Sequence, residues 1–184
     1  MGRVVDEVTP QIAEIVRAQQ VFFVATAPSG SDGHVNLSPK GLDTFAVLSP
    51  REVAYLDLTG SGAETIAHLV DNGRITIMFC TFEGPPMIVR IYGHGEVIPF
   101  DAPRAAELLA HFPSHPGARA VIRVDVTRVS TSCGYAVPEM SFVDARTRLD
   151  EWSVSQGPDG IAAYRDEKNA ESIDGLPAWS TLPH

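Results

Sequence analysis

Basic residues are scarce in this chain of 184 residues. Fourteen lysines and arginines stand against 23 aspartates and glutamates, a formal net charge of −9, and no Lys/Arg run stands out. Nucleic acid and anionic membrane surfaces both require a basic face, so neither is expected as a partner. A phosphate ligand would have to be held by local donors against the field of the whole molecule. Long apolar runs are also missing: nothing approaches the ~18 residues that cross a bilayer. Met1 to Val8 contains acids and no secretory hydrophobic stretch. Cysteine is limited to Cys80 and Cys133, which have no metal spacing and make no disulfide framework. A cytoplasmic protein with reduced thiols is the simplest expectation. There is no internal repeat, no Ser-His-Asp arrangement and no Walker motif. Gly60-x-Gly62 lacks the rest of a dinucleotide fingerprint. His111 and His115 have a usable metal spacing but no third ligand nearby, so no metal site is expected.

What is present is an ordinary globular composition, 44% hydrophobic and 20% charged. Thr9-Pro10 reads as N-cap and first residue of a helix over about Pro10 to Ala18, with a start nearer Val4 as the alternative. Val21–Thr26 and His34–Ser38 read as a hairpin around Ser31-Asp32-Gly33. Thr44–Ser49 and Val53–Leu58 form two more strands. A helix from Ile66 to Asn72 ends on Gly73. Arg74–Thr81, Met87–Ile98 and Ala120–Thr131 complete about seven strands, with a bulge or bend expected at Gly93 and Gly95. Asp101 is read as the N-cap of a helix through about His111. Short connections imply mainly antiparallel pairing, and short glycine-bent strands favour closure into a small barrel over an open sheet. Residues 1–134 are assigned to this barrel unit. Residues 135–184 are assigned to an irregular extension, with short helices near Arg146–Trp152 and Ala162–Ala170. Trp152 and Trp179 there require apolar cover from the barrel or from a partner subunit.

The most informative stretch is Leu58-Thr59-Gly60-Ser61-Gly62-Ala63-Glu64-Thr65. It joins a strand to a helix through a hydroxyl-rich glycine turn, a place where unpaired N–H groups converge and can hold an anion. Gly62 and Ala63 N–H groups, with the hydroxyls of Thr59, Ser61 and Thr65, are the candidate donors. Ser61-x-x-Glu64 also matches a capping box that would do no more than start the helix. Asn36-Leu37-Ser38-Pro39-Lys40 could present Ser38 and Lys40 to a ligand, or place a lysine on an exposed turn. Arg90, in an otherwise apolar strand, needs an acidic or phosphate partner, or an exit to solvent.

Four segments together resemble one known family: Asp32–Pro39, Val53–Asp57, Asn72–Phe79, and Ile88-Val89-Arg90-Ile91-Tyr92-Gly93-His94-Gly95-Glu96-Val97. From Gln20 to Cys133 the chain resembles the pyridoxamine 5′-phosphate oxidase-like proteins, the FMN-binding split barrels. The resemblance implies a mainly β split barrel of about six to seven mostly antiparallel strands. It also implies a homodimer with FMN held in a cleft at the interface. The flavin ring would lie along the strand with Val35, Asn36 and Ser38, and the phosphate near the helix start. There the oxidase has an Arg-Lys pair and this chain has Glu64-Thr65. Phosphate binding would then rest on Thr59, Ser61, Gly62 and Thr65, with Lys40 or Arg90 supplying charge. The oxidase's C-terminal Arg-Leu-His motif is replaced by Arg148-Leu149-Asp150, so pyridoxamine phosphate is not the expected substrate. The implied function is a flavin-dependent oxidoreductase of a small molecule, with no catalytic residue assigned. The alternative is a module that binds a flavin, a deazaflavin or haem without turnover; His34, His68 and His94 are the candidate haem ligands.

Overall fold

Residues 2–182 are described by a computed structural model. Met1 and the last two residues, the outer ends of the two assigned units, lie outside the described residues. The first strand, β1 (Arg3–Val5), lies where the alternative helix start was considered, and pairs with β8 (Ala118–Cys133). Helix α1 (Pro10–Arg17) begins as expected: the Thr9 hydroxyl accepts the Ile12 N–H, and Ile12, Ala13 and Val16 are buried. The remaining strands are β2 (Phe22–Thr26), β3 (Asn36–Lys40), β4 (Phe45–Ser49), β5 (Glu52–Leu58), β6 (Arg74–Cys80) and β7 (Met87–Ile98). Strand β3 starts two residues later than its alternation suggests and includes Pro39. The proline is tolerated because β3 is an edge strand, where a missing N–H breaks no second ladder.

All pairings are antiparallel, in the order β3-β2-β6-β7-β8-β5-β4, with β1 added to β8. The mainly antiparallel split-barrel fold holds, with eight strands in place of about seven. Full closure does not occur: β3 and β4 end the sheet and do not pair with each other. The sheet curls instead, and aromatic rings from both ends meet inside it. Phe22 lies 5.4 Å from Phe45 and 5.6 Å from both Tyr55 and Phe79 (ring centroids). These rings, with Val24, Ile77, Ile91, Ile122 and Val124, form the main core. A second core, including Leu56, Ile98, Leu108 and Val121, lies under α3 (Ala105–Leu109). Strand β8 is therefore buried on both faces around Val121 and Ile122, and its simple alternation fails there.

Asp101 does not cap α3. Residues 101–104 form turns in which the Ala102 N–H donates to the Pro99 carbonyl and the Ala102 carbonyl accepts from the Ala105 N–H, and Arg104 holds the N-cap position without a side-chain bond. The bend in β7 is where the glycines place it, with a register shift between Tyr92 and Gly93. A Cβ on Gly93 would stand 2.2 Å from the Asp125 carbonyl oxygen and 2.7 Å from Val124 Cγ1. Gly93→Ala is therefore expected to cost about 1–3 kcal/mol through forced backbone displacement. Chemical denaturation checks this; an unchanged midpoint would contradict so close an approach of β7 to β8.

Beyond β8, the segment read as irregular with two short helices holds two helices that meet at a kink: α4 (Arg148–Lys168) is broken at Gly157 (φ 65°, ψ 174°). Pro158 follows the break, where a first-turn proline costs little. Trp152 packs edge-on against Tyr164 at 4.9 Å, and Trp179 lies over the Arg165 guanidinium at 5.3 Å. Trp152 is thus covered within the extension, while Trp179 also packs against the cluster of Ala63, Ile66 and Ala67. Ala178 also packs with Ala63, Ile66 and Ala67 of the turn and helix that follow β5.

Candidate cofactor-binding site

Helix α2 (Glu64–Asn72) follows β5, and its start is built differently from a capping box. Ala63 holds the N-cap position and Ser61 is exposed without a hydrogen bond to the helix. Glu64 turns to the extension, where its carboxylate accepts the Ile173 N–H at 3.2 Å. One of its oxygens remains 3.6 Å from where a Cβ on Gly62 would stand, so negative charge stays close to the turn. At the other end Gly73 closes the helix in the left-handed conformation, as read from the sequence.

The turn between β5 and α2 is pinned through its acceptors. The Gly60 carbonyl accepts from Asn169 Nδ2 at 2.9 Å, and the Gly62 carbonyl accepts from Arg119 Nη1 at 3.2 Å. The Thr59 hydroxyl accepts from Arg165 Nε at 2.9 Å, while the Thr59 N–H reaches the Gly117 carbonyl. Among the described residues, the N–H groups of Gly60, Ser61 and Gly62 find no partner.

Behind the turn lies a buried ionic cluster. Asp57 is fully buried and sits 2.6 Å from Arg119 Nη2 and 3.0 Å from Lys40 Nζ. Burial pushes the Asp57 carboxyl up, but the Arg119 and Lys40 charges overcome this and hold it below its ordinary value. Arg165 adds a third cation, whose pKa is lowered by burial and then by the nearby Arg119 charge. Three cations against one carboxylate leave the cluster with excess positive charge. Tyr55, also fully buried, has a hydroxyl without a hydrogen-bond partner. Burial and then the Asp57 charge push its pKa well up, and it stays protonated. Thr65 is near enough to oppose that shift without meeting hydrogen-bond geometry.

The two ligand regions suggested by the sequence meet at Asn36. Its Nδ2 donates to Thr65 Oγ1 at 3.1 Å and to Thr26 Oγ1 at 3.1 Å, and its Oδ1 accepts from Ser38 at 2.8 Å. Asn36, Ser38 and Lys40 pair with buried Thr26, Val24 and Phe22 of β2. Val35 lies 74% exposed beside a groove of about 490 Å3 lined by Arg74, Tyr92 and His94. Arg90 does not join this constellation. It lies on β7, three places from β3 in the sheet, and donates to Ser132 at 3.2 Å. Asp57, Arg119, Arg165 and Asn169 were not singled out from sequence. A charge in an apolar strand, the signal that marked Arg90, also marks Asp57 and Arg119.

His68 is fully buried beneath α2, with Nδ1 3.0 Å from Thr26 Oγ1 and Nε2 unpaired. Burial lowers its pKa, against raising contributions from Glu64, Asp174 and Asp71. The unfolded chain therefore binds more protons than the folded one below pH 6.5, and stability rises with pH there. The contribution is fully present above pH 6.5 and lost as pH falls through the depressed folded value. His68→Gln is expected to flatten the fall in melting temperature below pH 6.5; an unaltered slope would exclude His68 as its source.

Residues 8–133 match the family model described as pyridoxamine 5′-phosphate oxidase. The chain belongs to the pyridoxamine 5′-phosphate oxidase family. It is 42% identical over 178 residues to the pyridoxamine 5′-phosphate oxidase family protein ustO of Aspergillus flavus, covering 86% of this chain and 70% of that protein. Two crystal structures of the HupZ protein of Group A Streptococcus share the fold. One has 22% identity and TM-score 0.54 over 68% of this chain and 99% of that chain; the other has 23% and 0.51 over 66% and 90%. The family match ends at β8, so Arg165 and Asn169 lie beyond it.

Proposed function

We propose that this family member is an FMN-binding flavoprotein and an oxidoreductase of a small molecule, acting as a cytoplasmic homodimer with the cofactor at the interface. The split-barrel unit is taken to residue 134 and the extension from 135. The observation that carries this reading is the turn over the cluster of Lys40, Asp57, Arg119 and Arg165. Its Gly60 and Gly62 carbonyls are taken up by the protein while, among the described residues, the donors at Gly60, Ser61 and Gly62 remain unpaired, beside excess positive charge. That donor set suits a phosphate.

In this reading Thr59, Ser61, Gly62 and Thr65 hold the phosphate, and Lys40 contributes charge. Val35, Asn36 and Ser38 line the ring, and Asn36 ties the ring strand to the helix start. Arg90, paired with Ser132 elsewhere on the sheet, is left out of the site. Bound FMN would supply two-electron redox chemistry, for which the protein provides binding, orientation and exclusion of water. The missing Arg-Leu-His motif argues against pyridoxamine phosphate as substrate.

The test is a visible spectrum of the purified protein and a titration with FMN, followed by anaerobic NAD(P)H and then oxygen. The expected result is a yellow protein whose flavin bands bleach and return. A colourless protein that takes up no FMN would overturn the reading; uptake without bleaching by any donor would leave a binding module.

A further inference from the structure

At the start of α2 this chain has Glu64-Thr65 and no basic side chain. We infer that Arg165 and Asn169, both from the C-terminal extension, are positioning residues for the cofactor phosphate, holding the Thr59–Gly62 turn with its carbonyls inward and placing cationic charge behind it. The inference rests on the flavin reading above.

Both residues act through the turn. Arg165 binds the Thr59 hydroxyl through Nε and the Ala118 carbonyl through Nη2 at 2.7 Å. Asn169 is fully buried and bifunctional: its Nδ2 holds the Gly60 carbonyl, and its Oδ1 accepts from Arg119 Nη1 at 2.7 Å. The same Arg119 nitrogen reaches the Gly62 carbonyl. One amide side chain thus links the Gly60 carbonyl to the arginine that holds the Gly62 carbonyl and pairs with Asp57. The extension is anchored independently of these bonds. Ala178 packs on Ala63 and Ile66, and His34 is 2.7 Å from Asp174. A tail that served only as packing would not need both a half-buried arginine and a buried asparagine against the polar atoms of this turn.

A purely structural role and a phosphate-positioning role differ in how they treat riboflavin, which has the ring without the phosphate. The experiment measures the affinity of the full chain for FMN and for riboflavin by flavin fluorescence. The wild-type protein is expected to prefer FMN by about tenfold or more. Arg165→Met and Asn169→Ala are each expected to lose about tenfold in FMN affinity with riboflavin affinity unchanged. Arg165→Lys should recover part of the loss. Thermal melts identify a variant that has not folded; a milder change at the same position, Arg165→Gln or Asn169→Ser, then takes its place with the same expected selectivity.

A parallel fall for both flavins, or no fall for FMN, would overturn the inference, as would a wild-type protein with no preference for FMN. Those results leave flavin binding intact. Failure of the wild-type chain to bind either flavin is the separate result that removes the flavin reading and this inference together.

Discussion

Asp57→Asn is expected to destabilise the protein by about 3–5 kcal/mol, the cost of removing one partner from a buried ion pair. In a chain of this length that corresponds to a fall in melting temperature on the order of 10 °C. The shape of the side chain is kept, so the effect isolates the charge. Asp57 has no exposed surface and Arg119 is 3% exposed, so water cannot replace the lost partner. Lys40 and Arg119 would face each other, and Arg165, without a compensating anion. The sign of the pH dependence follows. Because the folded Asp57 carboxyl lies below its ordinary 3.8, its contribution is fully present above that value and lost as pH falls through the folded one. Denaturant unfolding of both proteins gives the difference directly. A loss under about 1 kcal/mol would mean that the pair is solvated, as surface pairs are.

Ser61→Asp is expected to weaken FMN binding by about tenfold or more. Two unit charges 4 Å apart near a protein surface interact by roughly 4 kcal/mol, and about a third of that, ~1.4 kcal/mol, is a tenfold effect. Ser61 is exposed and makes no contact that the helix needs, so the melting temperature should not move. Riboflavin binding should not move either. Isothermal titration with both ligands checks this. Unchanged FMN affinity would place the phosphate away from the turn.

Strands with strong periodic patterns were legible from sequence: β7 occupies Met87–Ile98, and its bend falls at the expected glycines. Strand β1 was not, because three residues leave no period to read and their partners lie near Thr131 at the far end of the barrel. The position of the anion turn was legible for a local reason, the change from strand to helix across a glycine turn. Its chemistry was not. Glu64 fails as a capping-box residue because it is drawn to Ile173, more than a hundred residues away in sequence. The pairing of β5 with β8, which brings Asp57 to Arg119, likewise belongs to the topology. Arg90 and Arg119 gave the same signal in sequence, a cation in an apolar strand. The fold gives one a serine and the other a buried carboxylate.

The central claim, that this turn receives the phosphate of a flavin, is tested most directly by a crystal structure of the protein with FMN. The account predicts phosphate oxygens within hydrogen-bond distance of the N–H groups of Gly60, Ser61 or Gly62, with the Gly60 and Gly62 carbonyls still held by Asn169 and Arg119. A phosphate bound elsewhere, with the turn untouched, would contradict it.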